Sequence, residues 1–387
     1  MASTITTQAK STKQPNIEST HNEVTQYYYP DPVSQQVIQQ WLFMDLLPWQ
    51  QATWQYLTTH IDALPHAMLF AGNAGTGKRA FVYRFVAWAL CENQRDNVQG
   101  VATACGQCQS CQWLIANTHP DLYQIPTPTV ARDASPKSKA NNTLMAQAPT
   151  HQSSYSIKID EIRELQPFVT QSSGGLRIVV IHQADAMTLA ASNALLKTLE
   201  EPAENVLMLL ISDSPSQLLP TIRSRLQAFS VSHVTPAQSM QVMQQLMPNT
   251  DAVTLQQVNG WSGYAPFLAL QMLHSEWYQH RQTWINSFQA VRSGQRTPVQ
   301  ASNYWQKTLT LTDFLYLSQA LLVPLGQFAV GISASAHDLD FGKLQPPPTL
   351  KQISQLQQVI DQIWQDRQQH IQDKLCYDKI FSTMLDC

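Results

Sequence analysis

A seven-residue glycine-rich loop between an apolar strand and an amphipathic helix is the feature that most constrains the fold of this chain. The loop reads Gly-Asn-Ala-Gly-Thr-Gly-Lys and matches the G-x-x-x-x-G-K pattern of phosphate-binding loops. Gly72, Gly75 and Gly77 would let successive backbone N–H groups wrap a phosphate chain, and Lys78 would reach its outer phosphates. The chain has only 13 glycines in 387 residues, so three in one loop predict a nucleotide-type α/β unit.

Two protein groups that bind magnesium in such loops are missing. Arg79 stands where a serine or threonine hydroxyl would ligate Mg²⁺. The apolar strand 176–181 is followed by His182 and Gln183, where an Asp-Glu pair would be expected. Asp185, the nearest carboxylate, lies past the strand tip and could simply start the next helix. We expect no Mg²⁺ site and no hydrolysis, while the loop itself is open to two interpretations, a nucleotide site and a turn without a ligand.

Four cysteines crowd into the 21 residues that begin at the end of the predicted P-loop helix. Cys91, Cys105, Cys108 and Cys111 supply four thiolates, the last three closely spaced. Four soft ligands suit a closed, tetrahedral Zn²⁺ site of the structural type. An iron–sulfur cluster is the chief alternative, and four thiols without metal are a third.

Apolar strands alternate with helices up to about residue 233, and only helical patterning follows. The predicted strands are 66–72, 121–125, 176–181 and 205–211, and the predicted helices of this part include 79–91, 159–169 and 189–202. Unbroken apolar strands between helices indicate a parallel sheet covered on both faces. The fold class is therefore α/β followed by all-α.

The composition along the chain predicts the domain boundaries. A disordered lead (1–30) precedes a P-loop-like domain (31–233) that contains a flexible, Pro/Ser/Thr-rich insertion (126–156). A small helical domain (234–277) and a larger helical C-terminal domain (278–387) follow. The apolar stretch from Phe314 to Ile332 contains Pro324 and several polar residues, so a buried helix pair broken near Pro324 is predicted rather than a membrane span.

Charge and targeting features exclude some function classes. Charged residues make up 13% of the chain and the net charge is -3, so the chain lacks the basic footprint of a direct nucleic-acid binder. Any work on DNA would go through partners. The N-terminal segment has no apolar signal-peptide core, and the cysteine spacing is not that of a disulfide framework. We expect a cytoplasmic protein with no membrane partner.

The order of motifs resembles that of the bacterial clamp-loader AAA+ proteins. After the loop and the cysteines come Thr-His-Pro-Asp (118–121), Asn-Ala-Leu-Leu-Lys-Thr-Leu-Glu-Glu-Pro (193–202) and Ser224-Arg225. Within the family the chain resembles the delta-prime subunits of DNA polymerase III, strongly over residues 64–233 and elsewhere by architecture. The resemblance implies an AAA+ P-loop domain with a zinc-binding insertion, a helical lid and a helical collar for oligomerisation.

The resemblance also implies roles for individual residues. It places the Walker A loop on Gly72–Lys78 and the Walker B pair on His182-Gln183. The zinc ligands fall on the four cysteines and sensor 1 on Ser212. The arginine of the Ser-Arg-Cys motif falls on Arg225. Leu226 replaces the cysteine of that motif, and Pro266 stands where the ATPase members have their sensor 2 arginine. These departures remove ATPase parts, so ATP binding at the loop is left open and hydrolysis is not expected.

The function implied is that of a non-hydrolysing clamp-loader subunit, an accessory to a DNA-directed DNA polymerase (a nucleotidyltransferase). It would support ATP-dependent loading of the sliding clamp onto primed DNA. The implied partners are gamma/tau-type ATPase subunits and a delta subunit in a hetero-pentamer, with the clamp and primer–template DNA reached through the complex. Arg225 would serve a neighbour's ATP site as an arginine finger, the alternative being a surface or salt-bridging arginine.

Two rival functions remain open at this point. An active ATPase of the gamma/tau type would hydrolyse ATP as an isolated chain, and residues 79, 182 and 183 argue against it. A zinc-dependent DNA-binding module would need basic residues around Cys105 to Cys111, and there are none between them. Lys197, Glu200 and Glu201 also have two interpretations, charge pairing along a helix and a relay of the nucleotide state.

Overall fold

The computed structural model describes residues 39, 41–96, 100–126, 156–170, 174–332, 338–342, 344–366 and 372–385. The predicted disordered lead, 1–30, lies outside the described residues. So does the predicted insertion 126–156, apart from its two end residues.

A five-stranded parallel sheet forms the centre of the first half of the chain. Its strands are β1 (Ala67–Ala71), β2 (Leu122–Ile125), β3 (Arg177–Ile181), β4 (Val206–Ser212) and β5 (Gln227–Ser230). The strand order is β2-β3-β4-β1-β5, and every neighbouring pair is parallel. The first four strands lie where the apolar runs predict them. β5 was not predicted, because its Gln-Ala-Phe-Ser sequence is mostly exposed and contains no apolar run.

Helices cover both faces of this sheet. They are α1 (Gln51–Thr59), α2 (Lys78–Ala89), α3 (Gln109–Ile115), α4 (Ile159–Glu164), α5 (Gln166–Thr170), α6 (Leu189–Glu200) and α7 (Pro220–Arg223). Alternate residues of β3 enter opposite cores: Ile178 and Val180 pack in one cluster, Val179 and Ile181 in the other. The predicted helix 159–169 is two helices, α4 and α5, that meet at Leu165, just before Pro167, which has no backbone N–H to donate.

The second half of the chain is helical. Its helices are α8 (Pro236–Leu246), α9 (Ala252–Trp261), α10 (Pro266–His274), α11 (Glu276–Gln279), α12 (Arg281–Arg292), α13 (Pro298–Thr308), α14 (Leu311–Ala329), α15 (Leu350–Asp366) and α16 (Asp373–Leu385). One hydrophobic cluster extends from Met243 to Met384. Trp277 and Tyr278, either side of the predicted boundary between the helical domains, both belong to it. The predicted fold class, α/β followed by all-α, is confirmed.

The predicted break near Pro324 is wrong, because α14 continues as one helix through this proline. A proline removes one backbone hydrogen bond from a helix. Burial of Leu321, Leu322 and Leu325 in the helical core offsets that loss. Within the described ranges no single helix has the length and hydropathy to span a membrane. Only α13 and α14 taken together do so, and they are bent by 115°.

Candidate functional site: a P-loop, a cysteine cluster and an exposed arginine

The glycine-rich loop lies at the carboxyl end of the sheet, between β1 and α2. The Gly72 N–H donates to the Ser212 carbonyl at 3.2 Å, which joins the loop to the end of β4. The φ angles of Gly72, Gly75 and Gly77 are 147°, 76° and 79°, a range that favours glycine. A Cβ on Gly75 would lie 2.6 Å from the backbone nitrogen of Leu268. Both the backbone conformation and the close packing therefore require glycine here.

The lysine that ends the loop and the arginine that follows it are paired with a carboxylate of the same chain. Lys78 Nζ donates to Asp213 Oδ1 and, at 3.0 Å, to the Asn73 carbonyl. Arg79 Nη2 lies 3.0 Å from Asp213 Oδ2. Burial lowers the pKa of Lys78, while the charge of Asp213 opposes that shift. Sequence reasoning missed Asp213. The available signal was its position directly after β4, the strand beside the P-loop strand.

Uncharged groups occupy the place of the expected Walker B carboxylates. His182 Nε2 lies 2.6 Å from the Tyr83 hydroxyl, and that hydroxyl donates to Gln124 Oε1. The His182 and Tyr83 rings stack with centroids 5.3 Å apart. Burial, together with the charge of Arg79, lowers the pKa of His182 to about 3, so the imidazole is neutral at neutral pH. This network offers magnesium no carboxylate.

The buried His182 makes stability depend on pH. Its pKa is about 3 in the folded chain and about 6.5 in the unfolded chain, so between these values only the unfolded state binds the proton. Stability therefore falls as the pH drops through this window. Between about pH 7.5 and 5.5 we expect wild type to lose about 1 kcal/mol more unfolding free energy than His182→Gln in urea titrations. Equal losses in the two proteins would refute this assignment.

The remaining polar groups predicted for the site are bonded within the chain. The buried Ser212 Oγ accepts a hydrogen bond from the Ser214 N–H at 3.1 Å. Asp185 Oδ1 accepts from the Asp213 N–H at 3.3 Å. These bonds fix the turn after β4, and with it the position of the Asp213 carboxylate.

The outer side of the loop is covered by other parts of the chain. Trp49 Nε1 donates to the Thr76 carbonyl and Gln50 Nε2 to the Gly77 carbonyl, each at 3.1 Å. The Phe267 N–H, at the start of α10, donates to the Gly75 carbonyl, also at 3.1 Å. Pro266, at the predicted sensor 2 position, is the first residue of α10 and has no charged side chain. Three carbonyl groups of the loop thus accept hydrogen bonds from other parts of the chain.

The four predicted cysteines converge. Their sulfur atoms all lie within 4.8 Å of one another, with 3.9 Å between Cys91 and Cys108 and 3.9 Å between Cys105 and Cys111. A tetrahedral zinc ion with Zn–S bonds of about 2.3 Å requires sulfurs roughly 3.8 Å apart. The four thiols can therefore hold a metal such as zinc.

Backbone N–H groups surround the sulfurs of this cluster. Cys105 Sγ accepts from the N–H groups of Gln107 and Cys108 at 3.3 and 3.2 Å, and Cys91 Sγ accepts from the Cys105 N–H at 3.2 Å. The first two bonds lower the pKa of Cys105 to about 6. This geometry stabilises negatively charged sulfur, the form that ligates metal ions.

His119, in the Thr-His-Pro-Asp motif, joins the cysteine insertion to the sheet. Its Nδ1 accepts from the Asp121 N–H at 3.0 Å, just before β2. Its Nε2 lies 2.8 Å from the Ser110 hydroxyl, which donates to the Leu90 carbonyl, so Nε2 carries the proton. Burial lowers the pKa of His119 and keeps the ring neutral. The motif therefore has a structural explanation that sequence reasoning did not supply.

Arg225 lies on the surface, just after α7. Its Nη2 is 2.6 Å from Glu200 Oε1, at the end of α6, and its Nη1 donates to the Thr221 carbonyl at 2.7 Å. About a third of the Arg225 side chain and half of that of Glu200 are exposed. Glu200 thus pairs with Arg225, a partner that the two interpretations of residues 197–201 did not include.

Comparisons with known proteins agree with these features. The family model for DNA polymerase III, delta subunit, matches residues 49–235. DNA polymerase III subunit delta' of Pseudomonas aeruginosa is 36% identical over 234 residues, 60% of this chain and 62% of that protein. DNA polymerase III subunit tau/gamma of Haemophilus influenzae is 31% identical over 186 residues, 48% of this chain and 22% of that protein.

A structural comparison finds a gamma subunit-related protein of DNA polymerase III from Thermotoga maritima. It has a TM-score of 0.36 and 16% identity, and the match covers 86% of this chain and 98% of the other. The chain spans about half to two thirds of the length of the first delta-prime relatives it matches. The resemblance predicted from the motif order is confirmed: over residues 49–235 the chain is similar to the delta-prime subunits of DNA polymerase III.

Proposed function

We propose that this chain is a non-hydrolysing subunit of a DNA polymerase III clamp loader, working in the cytoplasm. The observation that carries the proposal is the charge pattern at the expected magnesium site. A guanidinium, that of Arg79, replaces the metal-binding hydroxyl, and the neutral His182 replaces a carboxylate. A site with a cation and a neutral imidazole in these places does not attract Mg²⁺. Such a chain supports ATP-dependent clamp loading without turning over ATP.

The partners in this proposal are ATPase subunits of the tau/gamma type and a delta subunit, in a hetero-pentamer. The sliding clamp and primer–template DNA are reached through the assembled complex. Sequence similarity to both delta-prime and tau/gamma subunits supports a shared architecture for such an assembly. The net charge of -3 agrees with a subunit that does not bind DNA alone.

Arg225 is the group that this chain would contribute to catalysis. We place it as an arginine finger that stabilises charge on the transferring phosphate in a neighbour's ATP site. Its ion pair with Glu200 joins two partly exposed side chains and contributes at most about 1 kcal/mol. The pair can therefore open at little cost when a neighbour's nucleotide approaches.

The cysteine cluster takes a structural role. We propose that Cys91, Cys105, Cys108 and Cys111 hold one Zn²⁺, which would supply the cross-link that fixes this insertion at the end of α2. Four sulfur ligands would complete a tetrahedral shell, so a bound ion would have no position for substrate. Near the cluster, Arg95 donates a hydrogen bond to the Cys105 carbonyl, which links the first part of the insertion to the cysteines.

Assembly tests this proposal. Mixed with tau/gamma-type and delta subunits of the same organism, the chain is expected to elute from a sizing column as one stable complex. Mixtures that lack it provide the control and should give smaller species. Elution of this chain alone, apart from the other subunits, would contradict the proposed role.

A further inference from the structure

The Asp213 carboxylate lies against both Lys78, the last residue of the P-loop, and Arg79, the residue after it. Oδ1 accepts from Lys78 Nζ, and Oδ2 lies 3.0 Å from Arg79 Nη2. The side chains of Lys78, Arg79 and Asp213 are 3%, 11% and 17% exposed, so the ion pairs are shielded from solvent. Each carboxylate oxygen thus contacts a different cation.

Lysine at this position of a P-loop ordinarily reaches the outer phosphates of a nucleotide. A carboxylate and a phosphate compete for it, because both are anionic acceptors of charge-assisted hydrogen bonds. In this chain Lys78 also donates to the Asn73 carbonyl at 3.0 Å, within the loop itself. The lysine is thus engaged by its own chain on two sides.

We propose that Asp213 is an internal anion that occupies Lys78 and Arg79 and excludes phosphate groups from the P-loop. This inference deepens the proposed non-hydrolysing function and rests on it, since it explains how the loop survives in a subunit that does not turn over ATP. The ligands that Asp213 would exclude are nucleoside diphosphates and triphosphates, which a P-loop recognises by their terminal phosphates.

The turn after β4 presents the carboxylate. The Asp213 N–H donates to Asp185 Oδ1, and the Ser214 N–H donates to Ser212 Oγ, at 3.3 and 3.1 Å. An incoming phosphate would have to displace the carboxylate from two buried cations. It would otherwise lie beside a like charge in a poorly solvated site, which is unfavourable. Nucleotide exclusion thus follows from charge as well as from space.

The test is pyrophosphate binding to the isolated chain, measured by calorimetry without magnesium. Pyrophosphate probes only the phosphate subsite, because it has no base or sugar. Wild type is expected to give no binding heat at millimolar pyrophosphate. Asp213→Asn, which keeps the shape and removes the charge, is expected to bind at least about tenfold more tightly.

Two controls accompany this comparison. Asp160→Asn makes the same charge change at an exposed carboxylate that pairs with Arg163 and not with Lys78, and it should behave like wild type. Asp213→Asn combined with Lys78→Met should lose the gained binding. Should Asp213→Asn fail to fold, Asp213→Asn/Arg79→Ser removes one charge of each sign, keeps Lys78 and is expected to bind pyrophosphate.

Binding by wild type as tight as by the variant would overturn the inference. So would the absence of binding in folded Asp213→Asn, since packing alone would then close the loop. These measurements use the chain without its neighbours. A negative pyrophosphate result would therefore not contradict the proposed subunit assembly or the Arg225 finger. Failure to assemble would likewise not contradict the pyrophosphate result.

Discussion

Replacing Arg225 with alanine is expected to lower ATP turnover of the clamp loader, stimulated by clamp and primed DNA, by about tenfold or more. An arginine supplied in trans is worth roughly 10³ to 10⁵ in rate at the site it serves. A loader with several ATP sites would retain part of its turnover, so the decrease in the whole complex is smaller. Subunit composition should not change, because Arg225 is a surface residue outside the hydrophobic clusters.

Two controls separate a finger from a structural arginine. Arg223→Ala removes an exposed arginine two residues away and should leave turnover unchanged. Glu200→Ala removes the partner of Arg225 within the chain and leaves the guanidinium in place. If the ion pair were what matters, Glu200→Ala would reproduce the loss. Turnover that is normal in Arg225→Ala would contradict the finger assignment.

Replacing Cys111 with serine is expected to release the metal and destabilise the P-loop domain. Cys111 is fully buried and its sulfur lies within 4.8 Å of the other three. Loss of a structural metal is among the few single changes that cost about 4 kcal/mol or more. Chemical denaturation would measure the decrease in unfolding free energy, and elemental analysis would measure the decrease from one zinc per chain to none.

Cys376→Ala is the matched control for the zinc prediction. Cys376 is buried in the helical core and is not one of the four clustered cysteines, so this variant should keep its zinc. Iron together with visible absorbance in the purified chain would show that the cysteines hold an iron–sulfur cluster and not zinc. A metal-free Cys111→Ser protein as stable as wild type would contradict a structural metal.

Local sequence patterns predicted much of the architecture. Apolar runs such as 205–211 identify buried strands, because a parallel sheet covered on both faces needs no polar alternation. β5 escaped prediction because it is short and exposed at the sheet edge, so its sequence has no apolar signature. Pro324 misled for the opposite reason: tertiary burial overrode a local helix-breaking signal.

In the candidate sites, too, local spacing was predictable and contacts made by tertiary packing were not. The cysteines were predictable because three of the four lie within seven residues, where spacing alone implies proximity. The contact between Asp213 and Lys78 was not, because these residues are 135 positions apart in the sequence and meet only when β4 pairs with β1. The ion pair of Arg225 with Glu200 likewise depends on how α6 and α7 pack. Charge alone does not reveal such pairings.

We propose that this chain supports ATP hydrolysis by its neighbours and performs none itself. The most direct measurement compares ATP turnover by the isolated chain with turnover by the loader assembled with and without it, all with clamp and primed DNA. We expect no ATP turnover by the chain alone and a large loss of turnover when the chain is omitted from the loader. ATP turnover by the pure chain, or a loader that works equally well without it, would refute this role.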